Sequence, residues 1–480
     1  MACCDTHGAK PQKMRWRDGG QRPRAMVVED ATLNYPLANL ALRRPTQASS
    51  VSAEEGIAAD AAVNGTKQGL ASFRSAVEEG AWWQVDLGRV VGIGRIQLWS
   101  AERAPLRGVA FLPVAILASA DGAVWETLAA LHRPYGGAST QRPAVLEFSQ
   151  GVNARFLRVQ GLGGGCLQFD ELEAFRYVPP SRDSAVASVT LSATGPLDGI
   201  ELRPRHDSGY FSVMSVILAE ILHFRRAGLE TVSIDDHDIF KKFKDGVRDS
   251  VLELVCDRAK WVQADPVGMT RKIPVFGARG RYSPNSMAYK TLDHAAIGYF
   301  VSRYFSPSGS VTALQQHWAT KYGIDIGKAV VVCYRGTDKV TEIKPASFDD
   351  YADQIGRIAN NVTSDIVVQT DQRQFLEFVS ERFPGRVKFI DDIPMTTGTT
   401  VIHNLDLTDE FGLTRRDFGL RLFAMVSWLS QARALLTSSG NVGFWLALLR
   451  GHARDVYQFH PHTQALIEPD GIAIPNPPRA

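Results

Sequence analysis

A chain of 480 residues, 45% hydrophobic and 22% charged, can bury the cores of two or three domains and is too long for a single simple one. Its formal net charge is +2, with Lys and Arg interspersed among Asp and Glu, so no basic block is present to follow a nucleic-acid backbone. Cys3, Cys4, Cys166, Cys256 and Cys333 are odd in number and scattered, which fits neither a disulfide framework nor a zinc site and points to a reducing cytoplasm.

Residues 1–33 are basic and polar, without the apolar stretch of a secretory signal, and are expected to form a disordered arm. No later run reaches about 18 uninterrupted apolar residues. Even Val213–Phe224 is broken by Glu220, so no membrane span is expected. From 34 to 178 the β-rich runs Val91–Ser100, Val114–Ser119 and Arg155–Leu162 are cut by Gly, Pro, Asp and Asn turns, the grammar of an all-β sandwich. Alternation over Arg155–Gln160 predicts a strand with one apolar and one polar face. Trp82 and Trp83, adjacent on a strand, are expected to fill the core.

Asn39–Leu42, Val63–Gly65, Trp82–Gly88 and Ala154–Val159 together resemble the discoidin, or coagulation-factor C-type, domain. The resemblance implies a jelly-roll sandwich whose variable loops bind sugars, lipids or proteins, in some members beside a calcium ion near the positions of Asp60 and Asn64. The usual Asp–Gly reads Asn64–Gly65 here, which argues against calcium. Fucose-binding lectins of similar fold use a basic pair against the sugar, which is not evident around Trp99–Arg103.

Pro179–Asp183 stops the last strand and opens a linker expected over 179–192. Strand then alternates with helix. Residues 193–325 begin with strand Gly199–Leu202, helix Val213–Ala227 and strand Glu230–Ile234, a β-α-β unit. Residues 326–460 continue with strands at Ala329–Tyr334, Asp365–Thr370, Val387–Ile390, Ala434–Thr437 and Asp455–Phe459. The intervening helices fall at Phe348–Asn360, Gln374–Arg382, Asp417–Ala432 and Val442–Arg450, and 461–480 reads as a tail. A parallel doubly wound sheet is the economical solution. Two such halves resemble the α/β GT-B glycosyltransferase fold, with two Rossmann-like halves around a cleft.

Ligands of an open parallel sheet bind beyond the carboxyl ends of its strands. The residues there are Arg335–Lys339, Asp371, Asp391–Asp392 and Ser438–Asn441, which should share one rim. Arg335 and Lys339 offer cationic donors to phosphate oxygens, and the Ser–Ser–Gly–Asn turn presents backbone N–H groups at a helix start. Positive charge in that position can replace a metal ion in stabilising a leaving diphosphate. Asp338 can orient Arg335 or form a plain structural pair with it. Clustered Asp235, Asp236, His237 and Asp238 fall on a strand end, where adjacent side chains diverge and no metal site is expected. Cys333, in an apolar strand, reads as packing.

Val332–Lys339 with Glu342, Val368–Asp371 and Leu436–Val442 resemble, in this order, three motifs of the α-1,6-fucosyltransferases, including the bacterial Nod-factor enzymes. The resemblance implies transfer of fucose from GDP-fucose to a glycan acceptor without a metal or other cofactor. It places Arg335 on the β-phosphate with Lys339 assisting. Thr337, Asp371, Ser438, Ser439, Gly440 and Asn441 complete the donor site, with Gly209 from the first half. Glu342 is the implied acceptor base and Asp338 a further catalytic carboxylate. The motif's second arginine is Gly336 here, and Cys333 and Met425 stand where the family reads guanine with a His and an Asp. The alternatives are another nucleotide sugar, or a non-catalytic glycan- or protein-binding chain with a degenerate transferase domain.

Overall fold

The structure, a computed structural model, describes residues 38–54, 57–102, 113–179, 199–261, 287–337, 345–359, 365–397, 402, 405–460 and 463–469, with the strand backbones at 25–27, 187–192 and 473–474. Residues 1–180 and 181–480 are two compact units.

The first unit is all β: β1 (Ala25–Val27), β2 (Thr46–Ala48), β3 (Phe73–Glu79), β4 (Trp82–Trp99), β5 (Val114–Ser119), β6 (Glu126–Leu131), β7 (Ala144–Gly161), β8 (Gly164–Phe169) and β9 (Glu171–Arg176). Strands β2, β4, β7, β5 and β6 lie side by side in that order, β1 joins β7, β9 joins β4, and β3 pairs with β8. All these pairings are antiparallel. Residues 25–27 thus extend a sheet from within the stretch expected to be a disordered arm. Register shifts at Asp86/Val91 and Ile93/Arg95 bend the long β4.

Period-two alternation divides the tryptophan pair between two faces. Trp83 is fully buried, its ring edge-on to Phe169 at 5.1 Å and its Nε1 donating to the Ala59 carbonyl at 2.7 Å. Trp82, expected in the core beside it, lies instead on the outer face. There the Arg158 guanidinium sits 4.4 Å from the Trp82 ring and 3.9 Å from that of Trp125. Phe156 joins Ala115, Leu117 and Trp125 in a small apolar cluster, so the outer face of β7 is less polar than the alternation predicted.

The second unit opens with β10 (Ala187–Ser192), antiparallel to β11 (Gly199–Pro204). The stretch expected to be linker therefore ends in a strand. Strand β11, helix α1 (Tyr210–Arg226) and strand β12 (Glu230–Ile234) form the expected β-α-β unit, with β11 and β12 parallel. After it come α2 (Val251–Val255), α3 (His294–Tyr304) and α4 (Gly309–Tyr322). Among the described residues this half has one parallel crossover and an antiparallel neighbour. Ile239, Phe240, Phe243, Val251, Leu252 and Val255 are buried at the spacing of single helical turns, which supplies no further strand.

The remainder follows the predicted alternation: β13 (Val330–Tyr334), α5 (Phe348–Ala359), β14 (Ile366–Thr370), α6 (Arg373–Arg382), β15 (Val387–Lys388), α7 (Leu407–Phe411), α8 (Arg415–Leu429), β16 (Ala434–Ser438), α9 (Asn441–Arg450) and β17 (Val456–Phe459), then β18 (Leu466–Ile467) and β19 (Ala473–Ile474). The sheet order is β15-β14-β13-β16-β17-β18-β19. Strands β13 to β17 are mutually parallel, whereas β18 and β19 are antiparallel additions from the stretch expected to be a tail. The chain runs outward from β13 to one side and returns to β16 on the other, which makes the gap between these two strands a topological switch point.

Val330, Val332, Ile366, Val368 and Leu436 pack on α5 and α6. Strand parity turns Cys333, Gln369 and Thr437, which are in register, to the opposite face. Helix α9 is bound to α1 through the Trp445 indole, which donates to the Phe211 carbonyl at 3.1 Å and to Ser215 Oγ at 2.9 Å. Among the described residues no helix is long and apolar enough to cross a membrane.

Candidate functional site

A cleft of about 440 Å³ opens at the switch point. Gly209, Arg335, Thr337, Asp371, Ser438, Ser439, Gly440 and Asn441 all line it, so the structure brings these sequence-predicted residues together. Asp338, Lys339 and Glu342 lie outside the described residues.

Asp371, expected to touch a ligand, is a positioning group instead. It is 6% exposed and accepts three hydrogen bonds: Arg335 Nε at 2.7 Å, the Gly336 backbone N–H at 2.9 Å and Thr337 Oγ1 at 2.6 Å. Thr337 is thereby committed to the turn rather than to a ligand. Arg335, 24% exposed, is held from behind and faces the cleft. At Gly336 a Cβ would stand 2.2 Å from Gln372 Oε1 and 2.6 Å from the Tyr334 ring, so a larger side chain such as arginine has no room in this turn.

The turn after β16 is built around glycine. Gly440 has φ +142°, accessible without strain only to glycine, and caps α9. A Cβ on Gly443 would meet the Ser438 carbonyl and Thr437 Oγ1, each at 2.6 Å, so this glycine brings helix and strand close. Two predicted donors prove occupied. Ser439 Oγ donates to the Phe459 carbonyl at 2.9 Å and accepts from Gln458 Nε2 at 2.8 Å. The Gly440 N–H donates to Tyr289 Oη at 2.9 Å, while that hydroxyl donates to the Gly440 carbonyl at 2.9 Å. Ser439 is therefore structural, while the N–H groups of the first turn of α9 remain to serve a ligand here. Asn441 accepts from Ser215 Oγ at 3.0 Å through Oδ1. The N-terminal turn of α1, from Gly209, reaches the same cleft. Two helix N-termini and one guanidinium thus surround a single space, an arrangement suited to an anion.

Sequence reading missed Tyr289, Gln458 and Ser215, whose partners lie 151, 19 and 226 positions away. No local motif marks them. Apolar Ile393, Pro394, Leu422 and Met425 also line the cleft, together with Cys333 and Gln369. Burial pushes the Cys333 thiol up to about 12, consistent with a packing role.

The other sequence candidates are used elsewhere. Asp391 and Asp392 share Lys321, at 2.7 and 2.9 Å. Asp235 binds Arg203 at 2.6 Å, and Asp236 accepts from the Leu252 N–H at 2.9 Å, so these neighbouring carboxylates diverge. Among the described residues no group of three or more His, Cys, Asp or Glu is placed to hold a metal ion.

The sandwich has its own cleft, of about 390 Å³, lined in part by Glu54, Asn64, Thr66, Gln68, Ser72 and Arg74. Arg74, 2% exposed, donates through Nε to Gln168 Oε1 at 3.1 Å and pairs through Nη1 with Glu54, whose side chain is 49% exposed. Its Nη2 has no hydrogen-bond partner among the described residues. Asp170 holds the rim loop, accepting from the N–H groups of Gln68 and Gly69 at 2.8 and 2.6 Å and from Ser72 Oγ at 2.9 Å. Asn64 spends its carbonyl oxygen on the Thr66 N–H at 2.6 Å. Glu171 accepts from the Gly65 N–H at 2.9 Å, and its burial pushes the carboxyl up to about 8.

This unit belongs to a known class: residues 45–172 are an F5/8 type C, or discoidin, domain. Similar solved structures include the lectin domain of lectinolysin complexed with Lewis B antigen, 22% identical, covering 29% of this chain and 98% of that one at a TM-score of 0.23. A Streptococcus pneumoniae fucose-binding module is 23% identical, with 30% and 100% covered and a TM-score of 0.25. A fucolectin from striped bass (Morone saxatilis) serum is 19% identical, with 34% and 57% covered and a TM-score of 0.27. No curated protein matches the chain.

Proposed function

We propose that residues 181–480 are a cytoplasmic glycosyltransferase that takes a sugar from a nucleotide diphosphate donor, GDP-fucose by motif, and that the discoidin domain holds the glycan acceptor. The observation that carries this reading is Arg335, locked by buried Asp371 at the switch point of a parallel sheet and facing a cleft shared with the N-terminus of α9. When the glycosidic bond breaks, negative charge grows on the leaving diphosphate. A guanidinium fixed in advance stabilises that charge more than the ground state, and the helix N–H groups add to it without reorganising. Positive charge already fills the role a divalent cation would have, so turnover is expected to survive excess EDTA. Lys339 and Glu342, on the segment after Arg335, are the assigned second cation and acceptor base.

For the sandwich, Glu54, Asn64, Gln68 and Ser72 offer a polar, hydroxyl-binding rim of donors and acceptors. The test is calorimetry of the full chain with GDP, followed by product analysis with GDP-fucose and a glycan panel. GDP binding with sugar transfer supports the reading, and binding of no nucleotide sinks it. Cys333 and Met425 favour a second reading, a glycan-binding chain without transfer, because neither side chain can make the guanine contacts of the motif it otherwise resembles.

A further inference from the structure

The cleft at the switch point has two kinds of lining. Arg335 and the two helix N-termini supply positive charge, and Ile393, Pro394, Leu422 and Met425 supply an apolar wall. A smaller apolar pocket shares Gln369, Thr370, Ile393 and Met425 with this cleft. One polar group is built into this wall. Gln369 Oε1 accepts from the Cys333 thiol at 3.0 Å, across registered neighbours on β14 and β13. Cys333 is 1% exposed and its thiol keeps its proton, so the amide oxygen is occupied and the amide orientation fixed. The Gln369 amino group is then the group presented to the cleft, and it has no hydrogen-bond partner among the described residues.

We propose that the apolar wall around Gln369 receives the donor's nucleobase and that Gln369 selects it, donating its amide N–H to a base carbonyl. This rests on the nucleotide-sugar reading above and names the base class. A fixed donor set in apolar walls favours guanine, which presents O6 and N7 acceptors, and uracil, which presents O4. Adenine and cytosine place an exocyclic amino group on the corresponding edge, where it meets another donor and goes unpaired. The Cys333–Gln369 pair does the work of reading a base by a different chemistry from a histidine and an aspartate.

The experiment is calorimetry of the full chain with GDP, UDP, ADP, CDP and inorganic pyrophosphate, repeated on Gln369→Leu and Gln369→Glu. GDP or UDP is expected to bind about 10-fold tighter than ADP and CDP, the ratio that one unpaired polar group produces. Gln369→Leu removes that preference and leaves pyrophosphate affinity unchanged, while Gln369→Glu, an acceptor, shifts it toward ADP and CDP. Equal binding of the four nucleotides by the unmodified chain, or a preference that persists in both variants, overturns the base assignment and leaves the nucleotide-sugar reading standing. Failure of all five probes to bind overturns both. Thermal melting of each variant separates lost selectivity from lost fold, and Gln369→Glu keeps the test decisive if Gln369→Leu does not fold.

Discussion

Each unit carries an arginine–carboxylate pair at the edge of a cleft, and the two pairs face opposite ways. In the sandwich Arg74 is 2% exposed and its partner Glu54 49%. In the α/β unit Arg335 is 24% exposed and its partner Asp371 6%. The first site therefore shows a ligand the carboxylate, with the guanidinium behind it, and the second shows the guanidinium, with the carboxylate behind it. On the proposed reading the same two groups, reversed in depth, serve a neutral polyol in one place and a diphosphate in the other. Burial order rather than residue type sets which group each cleft exposes.

The largest effect that sharpens this contrast is at Arg335. Arg335→Ala is expected to lower sugar transfer by about 10²-fold or more, because a fixed charge at the leaving group acts mainly in the transition state. Melting of the sandwich should not move. Near-normal turnover would remove the cationic cleft from the comparison.

Next is the pH response of the sandwich. The Glu171 carboxyl is pushed up from an ordinary 4.5 to about 8 by burial. A raised carboxyl favours the folded state fully below its unfolded value and loses that contribution as pH rises through the folded one. Stability of residues 1–180 should fall between pH 5 and 9, by at most about 1.4 kcal/mol per pH unit from this group. Glu171→Gln keeps an acceptor for the Gly65 N–H and should flatten the profile. Urea unfolding across this range checks it, and an already flat profile in the unmodified domain would refute the burial argument.

A smaller change is expected at Glu54. Glu54→Gln removes the outward charge while retaining an acceptor, and should weaken glycan binding by about fivefold, the scale of one charge-assisted hydrogen bond reduced to a neutral one. GDP affinity should stay as it was. Glycan-array and calorimetric titrations measure the two separately, and a parallel loss in both would end the division of labour.

Smallest of all is the expected effect of deleting residues 1–180 on donor binding, because the two compact units have separate cores. The dissociation constant for GDP should be unchanged, while the acceptor KM rises because a tethered glycan site no longer concentrates acceptor. Lost donor binding in a folded truncation would show that the units are energetically coupled.

The sequence by itself determined the alternation of the second unit. Val330–Tyr334, Ile366–Thr370, Ala434–Ser438 and Val456–Phe459 fall within a residue or two of their expected positions. Each is an apolar run cut off by polar or glycine residues, a local pattern that needs no knowledge of the rest of the chain. Parallel crossovers then send every such strand to the same rim, so Arg335, Asp371 and Ser438–Asn441 could be grouped without coordinates. Only the tertiary structure decided which of them remain available. Ser439 is taken by Phe459 and Gln458, the Gly440 N–H by Tyr289, and the Asp371 carboxylate by Arg335, Gly336 and Thr337. Trp82 and Trp83 were likewise inseparable in sequence and ended on opposite faces once β4 found its neighbours. Hydrophobic periodicity is written along the chain, whereas a hydrogen bond is satisfied by whichever group the fold brings within about 3 Å, and that group is usually distant in sequence.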